Sequence, residues 1–164
     1  MSRAPNETNV QIRELLALYR RTHYRVVLPD HAGCTIQIGA IVPGAIANWL
    51  GKDDFAAYMT SCNPYSQTLS DRQNGERLAD LRERLHAAGA RFLEGIASVP
   101  DEPWFEPSLL VSGISLTAVD ALARLYEQNA VVIVPARGLA RLRVYRAAWH
   151  HADVDATDID YATT

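Results

Sequence analysis

The amino-acid sequence predicts an α/β protein of the α+β kind, and three observations carry that expectation. From Phe55 to Val134 the apolar pattern switches repeatedly between a period of two and a period near 3.6, in the order β-α-β-β-α-β. The run Phe55 to Cys62 is apolar almost throughout, as a central strand covered on both faces must be. Ser70-Asp71-Arg72-Gln73 forms a capping box that opens a helix, and Gly89 is placed to close it. That order is the split βαβ, or ferredoxin-like, arrangement, and the right-handed crossover rule leaves few alternatives to it.

The elements follow in order. Asn9 to Thr22 reads as an amphipathic helix, with Ile12, Leu15, Leu16 and Tyr19 at i, i+3, i+4 and i+7. His23 to Leu28 and Cys34 to Ile38 alternate like strands, and the turn residues Pro29 to Gly33 between them suggest a hairpin. A short helix is expected from Pro43, a residue suited to a first helical turn. Leu78, Leu81 and Leu85 stripe the helix after Ser70, and Ala90 to Ala97 is the next strand. A polar loop, Ser98 to Pro107, leads to a strand from Ser108 to Gly113. Thr117 to Glu127 is a helix on Val119, Leu122, Ala123 and Tyr126. Ala130 to Val134 is a β-branched strand, and Ala140 to Ala147 is an added C-terminal edge strand.

With 164 residues, 48% apolar and 21% charged, the chain has the composition of one folded domain, placed at residues 9–150. Residues 1–8 are expected to be a flexible N-terminus. Residues 151–164, with four aspartates and few anchors, are expected to be an acidic, disordered tail. The net charge of −3 speaks against a protein that mainly coats nucleic acid. No apolar leader follows Met1 and no stretch is long enough to span a bilayer, so a cytoplasmic protein with no membrane partner is expected. Cys34 and Cys62 sit in apolar alternations as reduced thiols, and His23, His31, His86, His150 and His151 have no metal-ligand spacing. No metal and no cofactor are therefore expected.

The order of elements sorts their ends into two rims. One rim collects the Asn63–Ser66 loop, the first turns of the helix with Asn74 and Arg77, the residues Trp104, Glu106 and Ser108, and the Gln128-Asn129 amides. Asn74 belongs to the series 74, 78, 81, 85, so an amide sits on the stripe that otherwise buries leucine and must find partners.

These same stretches resemble a family. Thr60 to Ser66, Asn74 to Arg77, Trp104 to Ser108 and Gln128 to Ala130 are similar to an uncharacterised bacterial family, domain of unknown function 3293 (DUF3293). The likeness runs from about Leu15 to Tyr145. The family pattern is Thr-Ala-x-Asn-Pro-x-Ser, Asn-x-x-Arg, Trp-x-Glu-Glu-Ser and Phe-Gly-Gln-Asn-Ala. This chain departs from it at Ser61, at Pro107 in place of a second acid, and at Tyr126-Glu127 in place of Phe-Gly. The resemblance implies no activity, and the missing acid weakens any two-carboxylate mechanism.

The best functional expectation is a binding protein for a small anionic or nucleotide-like ligand in a polar pocket at that rim. Asn63, Ser66, Asn74, Arg77, Trp104, Glu106, Ser108, Gln128 and Asn129 would line it, with the helix N-terminus and the Arg77 fork meeting the anion and Trp104 as a lid. A bland account competes with it, in which Arg77 merely pairs with a nearby acid and the amides buckle loops to a helix. A second expectation is a nucleic-acid- or protein-binding module, including self-association, on the arginine-rich edge strand of Arg137, Arg141, Arg143 and Arg146. Its bland counterpart is an edge strand that uses charge against aggregation. A third is a hydrolase or transferase with Glu106 as general acid or base. Ser66 and Ser108 lack a neighbouring histidine in sequence to activate them.

Overall fold

The computed structural model describes residues 3–163. Four α-helices and eight strands are found among them: α1 (Asn9–Arg21), β1 (His23–Val27), β2 (Gly33–Ile36), α2 (Gly44–Leu50), β3 (Phe55–Met59), α3 (Asp71–Ala87), β4 (Arg91–Ser98), β5 (Phe105–Ser112), α4 (Leu116–Leu125), β6 (Ala130–Pro135), β7 (Arg141–Val144) and β8 (Ile159–Tyr161). The fold is α+β. All eight strands join one sheet in the order β2-β1-β4-β5-β3-β6-β7-β8. Every neighbouring pair is antiparallel except the last, β7 with β8, which is parallel.

Helix ends obey local chemistry. The Thr8 and Ser70 side chains each accept from the backbone N–H three residues on, and Gln11 and Gln73 reach back to complete two capping boxes. Ser115 caps α4 in the same sense. Gly89 takes a φ of +70° after α3, a conformation that costs a residue without Cβ almost nothing.

Strand alternation divides the core into two. Ala57 and Met59 of β3 face α3 and α4, where Leu81, Leu85, Val119 and Ala123 are fully buried. Ala56 and Tyr58 face the other way, toward Ile12 and Leu16 of α1 and Ile46 and Leu50 of α2. The sheet is therefore the middle layer of three, and the apolar run in β3 is buried on both sides as expected. The sheet also curls toward α1 and α2. Its two ends meet where the chain after β2 bridges the approach to β7, Ile38 with Ala140 and Ile41 with Leu139.

Both chain ends depart from expectation. The segment 151–164 is not a loose tail in its described part: Ile159–Tyr161 pairs with β7 as the sheet's last strand. Trp149, Ala152, Ile159 and Ala162 bury their side chains against the core. Three of the four aspartates are counter-ions rather than solvated charge, since Asp153 and Asp158 pair with Arg20 and Asp160 pairs with Arg141, while Asp155 is exposed. Consequently β7 is an interior strand, and the expected C-terminal edge belongs to β8. Near the start, Arg146 binds the Pro5 carbonyl at 2.7 Å and the Glu7 carboxylate at 2.8 Å, so residues 5–8 are tied down rather than free. Residues 1, 2 and 164 of those two expectations lie outside the described residues.

Candidate functional site

The site begins with strand parity. Glu106, Ser108 and Leu110 alternate onto the α1 side of β5, as Tyr58 does from β3, with Thr60 just beyond that strand. The register sets Ala97 opposite Glu106 and Gly95 opposite Ser108, so small residues face the polar ones and space is left over. Gly95 is required there, because a Cβ would stand 2.5 Å from the Arg25 carbonyl and 2.9 Å from the Tyr58 hydroxyl. Leu15, Leu18 and Tyr19 of helix α1, with Thr22 just past its end, roof that space. The result is a cavity of about 340 Å³, a size typical of small-molecule sites.

Seven of the nine expected ligand-binding residues line this cavity: Asn63, Ser66, Trp104, Glu106, Ser108, Gln128 and Asn129. Trp104, 38% exposed, stands at its mouth. Asn74 and Arg77 do not line it. Asn74 instead receives the Asn63 backbone N–H at 2.9 Å and donates to the Asn63 side-chain oxygen at 2.9 Å, which resolves the amide on the leucine stripe. Arg77 donates to the Ser61 carbonyl at 2.5 Å and the Tyr126 carbonyl at 2.7 Å. Its fork clamps two loop ends together and lies outside this cavity, in the lining of a separate open pocket with Gln73, Asp80, Arg84 and Tyr126.

The loop after β3 is strained in the same place. Asn63, Tyr65 and Ser66 have φ values of +46°, +49° and +61°, a left-handed run that residues with a Cβ adopt only when their surroundings hold them. Asn63 is held by its side chain, which accepts from Leu69 N–H at 3.0 Å and donates to Glu106 Oε2 at 2.7 Å. Tyr65 N–H binds the Glu127 carbonyl at 2.7 Å. Glu127 itself has a φ of +56°, a left-handed turn just past the end of α4. Gln128 donates to the Cys62 carbonyl at 2.9 Å, and Asn129 to the Ser66 hydroxyl at 2.9 Å. Asn129 in turn accepts from Arg146 at 2.7 Å.

Charge in the cavity is one-sided. No Arg, Lys or His lines it, and Glu106 is its one charged-type residue among the described residues. Burial pushes the Glu106 carboxyl up to about 7, with the Asn63 hydrogen bond pulling partly the other way. The carboxyl therefore keeps its proton up to near-neutral pH. Burial also raises the Tyr19, Tyr24 and Tyr58 hydroxyls, which stay protonated. The tyrosines and the α1 lining were missed from sequence. The available signal was Tyr58, a phenol inside a strand buried on both faces, whose hydroxyl had to find a partner and finds the Arg25 carbonyl at 2.9 Å.

The arginines of β7 and its flanks do not form an open basic face. Arg141 pairs with Asp160, Arg143 with Asp120, and buried Arg146 with Glu7. Arg143 and Asp120 expose only 16% and 13% of their side chains. Arg137 is exposed. No group of three or more metal-ligating side chains occurs among the described residues, and no described helix is long and apolar enough to cross a membrane. Cys62 is buried, its thiol pushed up by burial, while Cys34 on the outer strand β2 is half-buried rather than buried.

No curated protein and no solved structure matches the chain. Residues 59–131, which hold most of the cavity's polar lining, match the family described as protein of unknown function (DUF3293), and the likeness carried by the Asn63, Asn74, Trp104 and Gln128 motifs is a family likeness over that segment.

Proposed function

We propose that the protein binds a small molecule in the cavity beneath α1, and that the ligand is uncharged or cationic and anchored on Glu106. The carrying observation is the combination of a 340 Å³ cavity with a single acid and no cation in its lining. An anionic group would meet Glu106 there without a counter-charge, because the guanidinium expected to receive it is spent on the Ser61 and Tyr126 carbonyls. The anionic part of the sequence-based expectation gives way accordingly, and the heterocyclic part stays. The scaffold is best read as a ferredoxin-like core from β3 to β6, supported by the order β4-β5-β3-β6, its antiparallel pairings, and α3 and α4 on one face. The test is ligand-observed NMR with uncharged, cationic and anionic fragments against the wild type and an Ala97→Leu variant that fills the space opposite Glu106. Uncharged or cationic hits that Ala97→Leu removes support the reading. Anionic hits alone, or hits indifferent to that variant, overturn it.

A second reading has its own support: a carboxyl whose proton sits near pH 7 is suited to general acid–base work. It is tested by turnover of a bound hit, expected to vanish in Glu106→Gln even at hit concentrations that saturate the variant.

A further inference from the structure

The cavity has a neighbour. A groove of about 430 Å³ lies beside it, and both are lined by Asn63, Thr68, Trp104 and Glu106. The Asn63–Glu106 hydrogen bond thus stands as a partition between two spaces, with Trp104 and Thr68 bordering each. The groove is completed by Asp71 and Gly75 of the first turns of α3 and by Pro103 and Phe105 from the segment before and at the start of β5. Like the cavity, it has acids in its lining and no Arg, Lys or His.

We propose that cavity and groove are the two halves of one site and that its ligand is nucleoside-like: an uncharged nitrogen heterocycle in the cavity, carrying a hydroxylated ring that lies in the groove. The proposal rests on the small-molecule reading above and names the ligand's class. Three features favour it. Glu106 Oε2 accepts from Asn63, and its other oxygen has no hydrogen-bond partner within the chain among the described residues, leaving one directional contact for a ring N–H or ring nitrogen. Tyr19, Tyr24, Tyr58 and Trp104 offer the flat apolar walls that a heterocycle stacks on or abuts. On the groove side, the Asp71 carboxylate and the Thr68 hydroxyl suit sugar-type hydroxyls, carboxylates being the groups that take ribose hydroxyls elsewhere. A phosphate would find two acids and no cation, so phosphorylation should weaken binding rather than strengthen it.

The probes are adenine and cytosine, their nucleosides adenosine and cytidine, and the 5′-monophosphates, titrated by calorimetry and by fluorescence of the tryptophans. One nucleoside is expected to bind about ten-fold tighter than its free base, and its monophosphate about ten-fold weaker than the nucleoside. Gly75 tests the groove, because a Cβ there meets nothing within 4 Å and a large side chain is sterically free to cover it. In Gly75→Phe the nucleoside's advantage over its base is expected to shrink to about one-fold, with the melting temperature reporting that the chain still folds. A base that binds as tightly as its nucleoside, or an advantage unaltered in Gly75→Phe, overturns the two-part site while leaving the cavity reading standing. A monophosphate that binds best, or no binding by any base or nucleoside, overturns the nucleoside class. The fragment test with Ala97→Leu judges the cavity reading independently.

Discussion

Asn63 Nδ2 lies 2.7 Å from Glu106 Oε2, and this one bond joins the left-handed loop after β3 to the first residues of β5 across a cavity wall. It partly offsets the rise that burial gives the acid and holds the loop conformation together, so perturbations at either end report on the other.

Glu106 makes stability depend on pH in a defined sense. Its carboxyl is raised from 4.5 to about 7 in the folded chain, so the native state binds more protons than the unfolded one between those values. The contribution is therefore fully present below about 4.5 and is lost as pH rises through about 7, by at most about 3 kcal/mol. Chemical denaturation at pH 4.5 to 8 should show a wild-type loss that Glu106→Gln lacks. Equal curves for the two proteins contradict this.

Replacing Asn63 separates strain from hydrogen bonding. Asn63→Gly keeps the left-handed φ of +46° but loses the bonds to Leu69, Asn74 and Glu106, and should cost about 2–3 kcal/mol. Asn63→Ala should cost about 1 kcal/mol more, because a Cβ disfavours that backbone. In both variants the Glu106 carboxyl should titrate higher than in the wild type by NMR, having lost the donor that favours its charge.

Arg77 clamps the Ser61 and Tyr126 carbonyls. Arg77→Ala should lower stability by about 2–3 kcal/mol, by freeing the part-buried Ser61 and Tyr126 carbonyls. The affinity of any cavity ligand should change less than about two-fold after correction for the folded fraction. A selective loss of binding with stability intact would restore the anion site.

Arg141, Arg143 and Arg146 each hold an ion pair, so their loss should read out in stability. Glu7→Ala leaves the guanidinium of Arg146, whose side chain is 7% exposed, without its carboxylate and should cost about 3 kcal/mol in denaturant unfolding. Arg143→Ala should cost a similar amount through Asp120. Arg141→Ala and Arg143→Ala should leave elution from heparin unchanged at low salt, since those charges already have partners.

Periodicity and end chemistry carried far in this chain. The Ser70–Gln73 capping box, Gly89, the two-sided apolar run in β3 and the order of elements from Phe55 onward are local signals, and each appears where its spacing puts it. The convergence of Asn63, Glu106, Gln128 and Asn129 was also readable, because that order of strands and helices leaves their loops only one rim to share. The sequence pattern puts Glu106 in a loop ending at Pro107, and its place inside β5 on one face with Ser108 follows only from the pairing of β5 with β4, which starts the strand at Phe105. The direction taken by a long, flexible side chain, and the element that closes over a face, are not local properties. Arg77 could have reached an acid, a ligand or two carbonyls, and the nearest satisfied geometry is set by where the Ser61 and Tyr126 backbones meet. Asp153, Asp158 and Asp160 look solvated in one dimension and become counter-ions only beside Arg20 and Arg141, once β8 docks on β7. Helix α1, drawn across the curled sheet, turns a polar rim into a roofed cavity, and burial under that roof gives Glu106 its raised carboxyl. Local pattern thus determined the elements and their order, while long-range burial and charge pairing decided the pocket, because both depend on atoms brought together from opposite ends of the chain.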